Sequence, residues 1–360
     1  MGVNIGKNLD QFLPVFSPMV ADPSRSMSRL KRVRESGQYS NRGEQVRELE
    51  ARLADFLGAS IGSVILASSA TAGLHGAFSV SPASKWSLPS WTFQATPAAG
   101  LNAGKELRFV DVGMESWSRE MPGDSAAQEG RVVVLPFGVN QTSFSWPDNL
   151  EVVVDAAAAL GELEGKLGSI PLGTAFVFSL HVTKVLGVGE GGLVVFGDPE
   201  RAETFRSWIN FGFSGSRRSR FVGYNAKMSE YVAAFLHTEL DDWEQIRREW
   251  SEARFMTDQL SLEHGLQLQP GLQSAVSPYW NVIFESELDR KEAQQRLSNA
   301  GIGYRRWWGD GCHGNLAFKN IPSNELPNTE QLGRRVLGLP FFRGIHARDL
   351  RRVAETIVRG

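Results

Sequence analysis

The sequence predicts an α/β protein in which helices cover a mostly parallel central sheet, followed by a smaller C-terminal α+β domain. Two observations lead to this prediction. Over about the first 230 residues, short continuous apolar runs alternate with helical segments, which is typical of strands buried on both faces of a parallel sheet. Further on, charge-rich helical segments are mixed with isolated strands. We therefore expect a large domain over residues 1–240 and a small domain over residues 241–360.

The elements follow from local patterns. Residues 44–57 place apolar side chains on one helix face, and Gly58 follows as the C-cap. Residues 64–66 are strand-like, and the hydroxyl groups within 68–71 are placed to cap a helix over 72–80. Further short apolar runs bounded by turn residues are predicted strands at 86–88, 107–110, 132–135, 152–154 and 176–178. The C-terminal part is predicted to contain one long helix over 230–250 that continues or is followed by a second over 251–262, a strand over 280–284, and helices over 288–300 and 347–358.

Composition excludes several classes of protein. The net charge is −2, with 42% hydrophobic and 22% charged residues, so nothing attracts the chain to nucleic acid or an anionic membrane. There is no apolar run near 18 residues, and MGVNIGKNLDQF lacks the apolar core of a signal peptide. Cys312 is the only cysteine, and the six histidines lack metal-ligand spacing. We expect a cytoplasmic protein with no metal site and no nucleic-acid or membrane partner.

Gly187, Gly189 and Gly192 have the G-x-G-x-x-G spacing of a dinucleotide-binding loop. Such a loop must open a helix, because the helix N-terminus holds the pyrophosphate. Here the glycines are followed by the apolar run 193–196 and the turn signal Gly-Asp-Pro. The pattern therefore predicts a turn that leads the segment around Lys184 into a strand.

The ends of the predicted strands carry the groups that one cofactor needs, and ligands of such sheets sit beyond the carboxyl ends of the strands. The helix N-terminus at Ala70 and Thr71, together with the Ser179 hydroxyl, would hold a phosphate. Asp155 would pair with a pyridinium nitrogen, and Lys184 would form a Schiff base with an aldehyde. An aromatic ring from the turn after strand 86–88, either Trp91 or Phe93, would stack on the ring. These groups together specify pyridoxal phosphate.

Several segments in order carry a family resemblance: SSATAGLHGAF, LPSWTFQATPAAGLNAGKELRFVDV, VVVDAAAALG, FSLHVTKVLGVGEGGLVVFGD, INFGF and GYNAKMSEYVAA. Over nearly its whole length the sequence resembles the DegT/DnrJ/EryC1/StrS sugar aminotransferases, which are fold type I pyridoxal-phosphate enzymes. The resemblance implies a fold type I aminotransferase that binds pyridoxal 5'-phosphate. A 3-dehydratase branch carries His at the lysine position, and Lys184 argues against that branch.

The resemblance also implies residue roles. Lys184 is the Schiff-base lysine, Asp155 is the partner of the ring nitrogen, and Phe93 matches the ring-stacking aromatic, although core packing of Phe93 stays open. Ala70, Thr71 and Ser179 match phosphate ligands. Asn225 matches an asparagine that reaches the phosphate of the neighbouring subunit's cofactor, which implies a homodimer with a shared active site. The sequence departs from the family pattern at two positions, Ala70 for a glycine and Ala158 for a frequent His or Gln.

Two polar segments are candidates for substrate binding. Arg217, Arg218 and Arg220 form a basic patch whose guanidinium groups suit a diphosphate, although a solvated surface is the alternative. Tyr304, Arg305 and His313 lie in a segment dense in aromatic and cationic groups, which forms either a rim for a sugar nucleotide or a loop that packs tryptophans.

The expected reaction moves an amino group from L-glutamate to a nucleotide-linked keto-sugar. The combination of NFGF with GYNAKMSE looks most like members that act at C4 of dTDP-4-keto-6-deoxyglucose. Two alternatives stay open: a C3 keto-sugar aminotransferase, and a non-catalytic, cofactor-bound relative that acts in regulation. The sequence does not specify the nucleotide, the sugar or the pathway.

Overall fold

The computed structural model describes residues 12–119, 129–140 and 144–358. Within them, nine strands form two sheets. The strands are β1 (Val64–Ala67), β2 (Lys85–Pro89), β3 (Glu106–Val110), β4 (Glu129–Val134), β5 (Val152–Asp155), β6 (Thr174–Ser179), β7 (Gly192–Phe196), β8 (Trp280–Ile283) and β9 (Val336–Leu339). Every short apolar run predicted as a strand overlaps one of them, although the predicted runs 132–135 and 280–284 each extend one residue beyond β4 and β8.

The large sheet has seven strands in the order β1-β7-β6-β5-β4-β2-β3. Strands β2 to β6 pair in parallel, whereas β7 is antiparallel to both β1 and β6. The predicted mostly parallel sheet is confirmed. Because the parallel strands point the same way, the carboxyl ends of β5 and β6 meet at one edge.

Both faces of this sheet are buried. Along β1, Val64 and Leu66 belong to one hydrophobic core, while Ile65 and Ala67 belong to the other. This alternation follows from the two-residue period of a strand. The predicted cover of helices on both faces explains why the strand sequences are continuously apolar.

Ten α-helices occur in the described residues. They are α1 (Met27–Ser36), α2 (Glu44–Leu57), α3 (Ala70–Val80), α4 (Ala95–Asn102), α5 (Pro199–Trp208), α6 (Glu230–Asp241), α7 (Trp243–Glu263), α8 (Glu287–Asn299), α9 (Pro327–Arg335) and α10 (Ala347–Val358). Helix α2 has the predicted bounds, and Gly58 ends it with φ +69°. At its N-terminus the buried carboxylate of Glu230 accepts hydrogen bonds from the backbone N–H groups of Gly43, Gln45 and Val46.

The long helix expected over 230–250 is wrong in its bounds, because Asp242 interrupts it and separates α6 from α7. The Asp242 carboxylate is bonded by Arg25, from the turn before α1. A tertiary ion pair of this kind is not visible in the helical period, which continues on both sides of the interruption.

The C-terminal part contains the antiparallel pair β8–β9 with α8, α9 and α10. The N-terminal segment packs here too, since the Leu13 backbone exchanges hydrogen bonds with Gly301 and Gly303, and Phe341 N–H donates to the Val15 carbonyl. Asp111, just after β3, accepts hydrogen bonds from the backbone of Asn328 and Thr329 and so ties α9 to the large sheet.

No helix among the described residues is long and apolar enough to cross a membrane. Residues 1–11, which make up most of the stretch judged for a signal peptide, lie outside the described residues.

Candidate active site

Two of the predicted site residues end neighbouring parallel strands. Asp155 is the last residue of β5 and pairs with Val177 of β6, and Ser179 is the last residue of β6. The Ser179 N–H donates to the Ala157 carbonyl at 3.1 Å, which joins the two strand ends. The strand register thus brings Asp155 and Ser179 to the same edge of the sheet.

The N-terminus of α3 packs beside Ser179. Gly192 pairs with Ser179 on one side and with Ala67 on the other. A Cβ on Gly192 would lie 2.3 Å from the Ser69 carbonyl carbon, so only glycine lets the start of α3 pack so closely. The predicted phosphate-binding elements are therefore adjacent.

At this helix start, the Ser69 hydroxyl accepts a hydrogen bond from the Ala72 N–H at 3.1 Å. The N–H groups of Ala70 and Thr71, in the first turn, have no acceptor within the helix and lie at its positive end. Ala70 has a helical backbone, so alanine in place of the family's glycine causes no strain there. These two N–H groups and the Ser179 hydroxyl form a donor set suited to a phosphate.

Lys184 lies in a tight turn that the glycines make possible. Its N–H donates to the His181 carbonyl at 2.8 Å. A Cβ on Gly187 would lie 2.2 Å from the same carbonyl oxygen, and Gly189 has φ +117°. Strand β7 follows the glycines, and the next helix after them, α5, begins only at Pro199. The interpretation of these glycines as a turn into a strand is confirmed.

Asp155 is a buried carboxylate, and no ion pair to it occurs among the described residues. The Thr96 hydroxyl donates to Oδ2 at 2.6 Å and the Ala157 N–H to Oδ1 at 3.1 Å. Burial raises the pKa of Asp155, while these two hydrogen bonds and the charge of Lys184 act in the opposite direction. A buried carboxylate is costly unless it is paired, and a protonated ring nitrogen would supply the missing cation.

Thr96 and Tyr279 are site residues to which sequence reasoning gave no role. Thr96 lies in the quoted segment LPSWTFQATPAAG, which could have drawn attention to it. Tyr279 accepts a hydrogen bond from Lys184 Nζ at 2.8 Å, although 95 residues separate the two in the sequence. No local pattern around Tyr279 indicates this contact.

Phe93 does not pack in the core, since it is 54% exposed. Its carbonyl accepts a hydrogen bond from the Thr96 N–H at 3.1 Å, which places Phe93 one turn away from the residue that contacts Asp155. Ala158, the second departure from the family pattern, is buried and contributes no polar group.

Asn225 is exposed, and its Oδ1 accepts a hydrogen bond from Lys227 Nζ at 2.7 Å. The segment runs beside the end of β1, since the Ser68 N–H donates to the Ala226 carbonyl at 2.8 Å. Its role toward a second subunit stays a prediction.

The candidate substrate residues are divided among three places. Arg217, Arg218 and Arg220 are all exposed on the loop between α5 and α6, and no ion pair involves them in the described part of the chain. The Tyr304 hydroxyl is bonded by Ser298, while Arg305 pairs through its backbone with Gly338 of β9 and exposes its side chain.

His313 is brought to the carboxyl end of β2, where its Nδ1 lies 2.7 Å from the Ser90 hydroxyl. Its neighbour Cys312 is buried there, and its thiol donates to the Thr92 carbonyl. Of the predicted substrate residues, His313 is thus the one with side-chain contacts at the same edge of the sheet as Asp155.

These residues fit the expected pyridoxal phosphate. Helix N–H groups with a serine hydroxyl match its phosphate, the unpaired buried carboxylate of Asp155 matches its ring nitrogen, and the amine of Lys184 matches its aldehyde. The register of β5, β6 and β7 and the position of α3 bring these three groups to one sheet edge.

Comparison with known proteins identifies relatives of the whole chain. The sequence profile of the DegT/DnrJ/EryC1/StrS aminotransferase family matches residues 21–122 and 145–358. Protein Rv3402c of Mycobacterium tuberculosis H37Rv is 29% identical over 242 residues, which are 62% of this chain and 58% of that protein. The match thus spans less than two thirds of that relative.

Other relatives match over most of their length. The UDP-N-acetyl-3-dehydro-alpha-D-glucosamine 3-aminotransferase of Acidithiobacillus ferrooxidans is 28% identical, covering 88% of this chain and 89% of that protein. The dTDP-4-amino-4,6-dideoxy-D-glucose transaminase of Shigella dysenteriae is 25% identical, covering 89% and 91%. The crystal structure of DesI in the presence of its TDP-sugar product has a TM-score of 0.83 at 29% identity, covering 97% of this chain and 93% of that one.

Proposed function

Because the chain belongs to the DegT/DnrJ/EryC1/StrS aminotransferase family, we propose that it moves an amino group from L-glutamate to a nucleotide-linked keto-sugar, using pyridoxal 5'-phosphate. The observation that carries this proposal is that the amine of Lys184 and the buried carboxylate of Asp155 lie at one sheet edge, where no ion pair within the described residues neutralises Asp155. When bound, pyridoxal phosphate supplies an aldehyde that carries the amino group and a ring that withdraws electrons from the carbon that loses its proton.

The protein's own groups would bind, orient and move protons. The N–H groups of Ala70 and Thr71 and the Ser179 hydroxyl would fix the phosphate. Asp155 would keep the ring nitrogen protonated, because an ion pair in a buried site favours the charged form of both partners. The amine of Lys184 would take the proton from Cα of glutamate and, in the second half of the reaction, deliver a proton to the sugar carbon that receives the amino group.

For the acceptor, C4 of dTDP-4-keto-6-deoxyglucose is the first candidate. It is supported by the segments NFGF and GYNAKMSE, by the Shigella dysenteriae relative named for a dTDP-4-amino sugar, and by the likeness to a structure with a TDP-sugar product. Arg217, Arg218 and Arg220 would bind the diphosphate, and the segment with Tyr304, Arg305 and His313 would line the sugar side.

A C3 keto-sugar acceptor is the second candidate. The observation in its favour is the Acidithiobacillus ferrooxidans relative, which is named a 3-aminotransferase for a UDP-linked sugar and matches 88% of this chain. The two candidates differ in both the nucleotide and the carbon that receives the amino group, so one experiment distinguishes them.

The working unit would be a homodimer acting in the cytoplasm, in which Asn225 of each subunit serves the cofactor phosphate of the other. The exposure of Asn225 supports this arrangement, since a side chain that acts on a partner must not be buried in its own chain.

The test supplies the purified protein with pyridoxal phosphate, 15N-labelled L-glutamate and one keto-sugar nucleotide at a time. Mass spectrometry should find 15N in the product from dTDP-4-keto-6-deoxyglucose, and Lys184→Ala should give none. Label only in a UDP-linked 3-keto sugar would favour the second candidate. No label in any product of the panel would contradict both, and would favour a regulatory relative that binds the cofactor without turnover.

A further inference from the structure

Lys184 Nζ makes its one side-chain hydrogen bond within the described part of the chain to the hydroxyl of Tyr279, at 2.8 Å. Nζ also lies 5.3 Å from the centroid of the Tyr279 ring. Tyr279 comes immediately before β8, in the C-terminal part, whereas Lys184 lies in the turn between β6 and β7. The contact thus joins the proposed reactive amine to a different part of the chain.

The Tyr279 ring is fixed by two aromatic neighbours. Phe137 contacts it with ring centroids 5.3 Å apart and planes at 67°, and Trp307 with centroids 5.1 Å apart and planes at 85°. Both are edge-to-face geometries, which are favoured between aromatic rings. The hydroxyl therefore has one well-defined position.

The backbone on either side of the ring is fixed by a buried cation. Arg254 of α7 is 1% exposed, and its guanidinium donates to the carbonyls of Ser277 and Tyr279. The Ser277 hydroxyl in turn donates to the Phe137 carbonyl at 2.6 Å. Phe137 has φ +57°, an unusual conformation for a residue with a side chain. A buried guanidinium and a residue with positive φ thus hold the backbone around the phenol of Tyr279 in place.

A phenol can serve the amine in both of its protonation states. Its oxygen accepts a hydrogen bond from an ammonium group, and its O–H donates to the lone pair of a neutral amine. An amine that alternately takes and gives a proton needs a hydrogen-bond acceptor when it is charged and a donor when it is neutral. A partner that could only donate or only accept would lose the contact at one of these two stages. Tyr279 would hold it in place at both.

We propose that Tyr279 is a positioning residue that holds the free amine of Lys184 in line for proton transfer, an inference that rests on the proposed function. Tyr279 acts through Lys184 and needs no contact with the substrate. Its hydroxyl is the group that matters, because the ring alone would satisfy the packing against Phe137 and Trp307.

The variant that isolates the hydroxyl is Tyr279→Phe, which keeps the ring and both aromatic contacts. Tyr231→Phe is the matched control, since it removes the same group from a half-exposed tyrosine on α6. Thermal unfolding of both variants checks that the fold is intact.

The first measurement uses the full chain freed of cofactor and needs no turnover. Trinitrobenzenesulfonate labels amines, and peptide mass spectrometry gives the rate at Lys184 relative to the exposed Lys31 and Lys319. The phenol is hydrogen-bonded to the amine in either protonation state and so slows its reaction with the reagent. In Tyr279→Phe, Lys184 should therefore be labelled about three- to tenfold faster, the size expected for the loss of one hydrogen bond. Tyr231→Phe should match the parent. An unchanged rate at Lys184 in Tyr279→Phe would overturn the proposal.

The second measurement uses the loaded enzyme. With glutamate carrying deuterium at Cα, Tyr279→Phe should lower kcat about ten- to a hundredfold, leave KM within about twofold, and increase the primary isotope effect, because proton transfer becomes slower. A parent-like kcat and isotope effect would likewise overturn the proposal. If the parent protein itself does not transaminate, the proposed function fails, whereas the labelling result still tests the contact between Tyr279 and Lys184.

Discussion

The Thr96 hydroxyl donates a hydrogen bond to the buried Asp155 carboxylate, with 2.6 Å between Oγ1 and Oδ2. Burial raises the pKa of Asp155, and the hydrogen bond from the Thr96 side chain lowers it. Thr92 supports this hydrogen bond in turn, since its own hydroxyl oxygen lies 3.0 Å from that of Thr96. Helix α4 thus contributes to the site through the hydrogen bond from Thr96 to Asp155.

Thr96→Val keeps the shape of the side chain and removes this donor. The buried carboxylate then loses a hydrogen bond, so the free energy of unfolding at pH 7 should fall by about 1–3 kcal/mol. Chemical denaturation measures it. Thr92→Val is the matched control and should cost less, because Asp155 keeps both of its donors. Equal losses in the two variants would mean that the bond from Thr96 to Asp155 has no special weight.

Asp155→Asn tests the partner of the ring nitrogen. The amide keeps the shape but cannot hold a proton on that nitrogen, so conversion with glutamate should slow by several orders of magnitude, or about 4 kcal/mol or more of barrier. Binding of the cofactor at Lys184 should persist. A single-turnover absorbance measurement after adding L-glutamate gives the rate. Conversion near the parent rate with cofactor fully bound would reduce Asp155 to a structural cap.

The proposed shared site predicts complementation between two inactive variants. Lys184→Ala lacks the amine, and Asn225→Asp sets a carboxylate against a phosphate of the partner's site. In mixed dimers one of the two sites would combine intact residues, so part of the activity should return. Verified heterodimers without regained activity, or a monomer in solution, would argue against the shared site.

The burial of His237 leads us to predict that the protein loses stability in acid. His237 is fully buried on α6, where Arg52 donates to its Nδ1 at 2.9 Å and its Nε2 donates to the Gln45 carbonyl at 3.0 Å. Both nitrogens are thus used by the neutral ring. Burial, together with the charges of nearby arginines, lowers the pKa of His237 from 6.5 to about 4.

Between pH 6.5 and about 4 the unfolded chain therefore binds a proton that the folded chain does not, so stability falls as the pH falls through this window. His237→Gln should be less stable than the parent protein at pH 8. Its midpoint temperature of thermal unfolding should fall less than that of the parent between pH 6.5 and 4.5. His346→Gln, at an exposed position, is the control. An equally steep decline in His237→Gln would assign the acid sensitivity to other groups.

Much of the fold could be predicted because buried parallel strands leave a continuous apolar signature. The predicted bounds of α2 match the structure, because the apolar period and the C-cap glycine Gly58 indicate the same end. The antiparallel direction of β7 was not predicted, because strand direction depends on how the chain crosses over and not on the residues of the strand. The interruption at Asp242 was missed because the helical period continues on both sides of it.

The candidate site divides in the same way. Lys184, Asp155 and Ser179 could be found because each lies at or just after the end of a strand, where a local pattern indicates it. Tyr279 could not, because its contact with Lys184 depends on how the C-terminal part packs against the large sheet. The roles of Arg217, Arg218 and Arg220 stay predictions, because all three are exposed and have no ion pair within the described residues.

The central claim is that Lys184 is the residue that bonds the cofactor. The most direct test incubates the protein with pyridoxal phosphate, reduces it with borohydride, and locates the adduct by peptide mass spectrometry. The adduct should lie on Lys184 and be absent from Lys184→Ala, while Lys227→Ala, which alters the half-buried lysine beside the end of β1, should keep it. An adduct on Lys227 or on any other lysine of the parent protein, or none at all, would contradict the account.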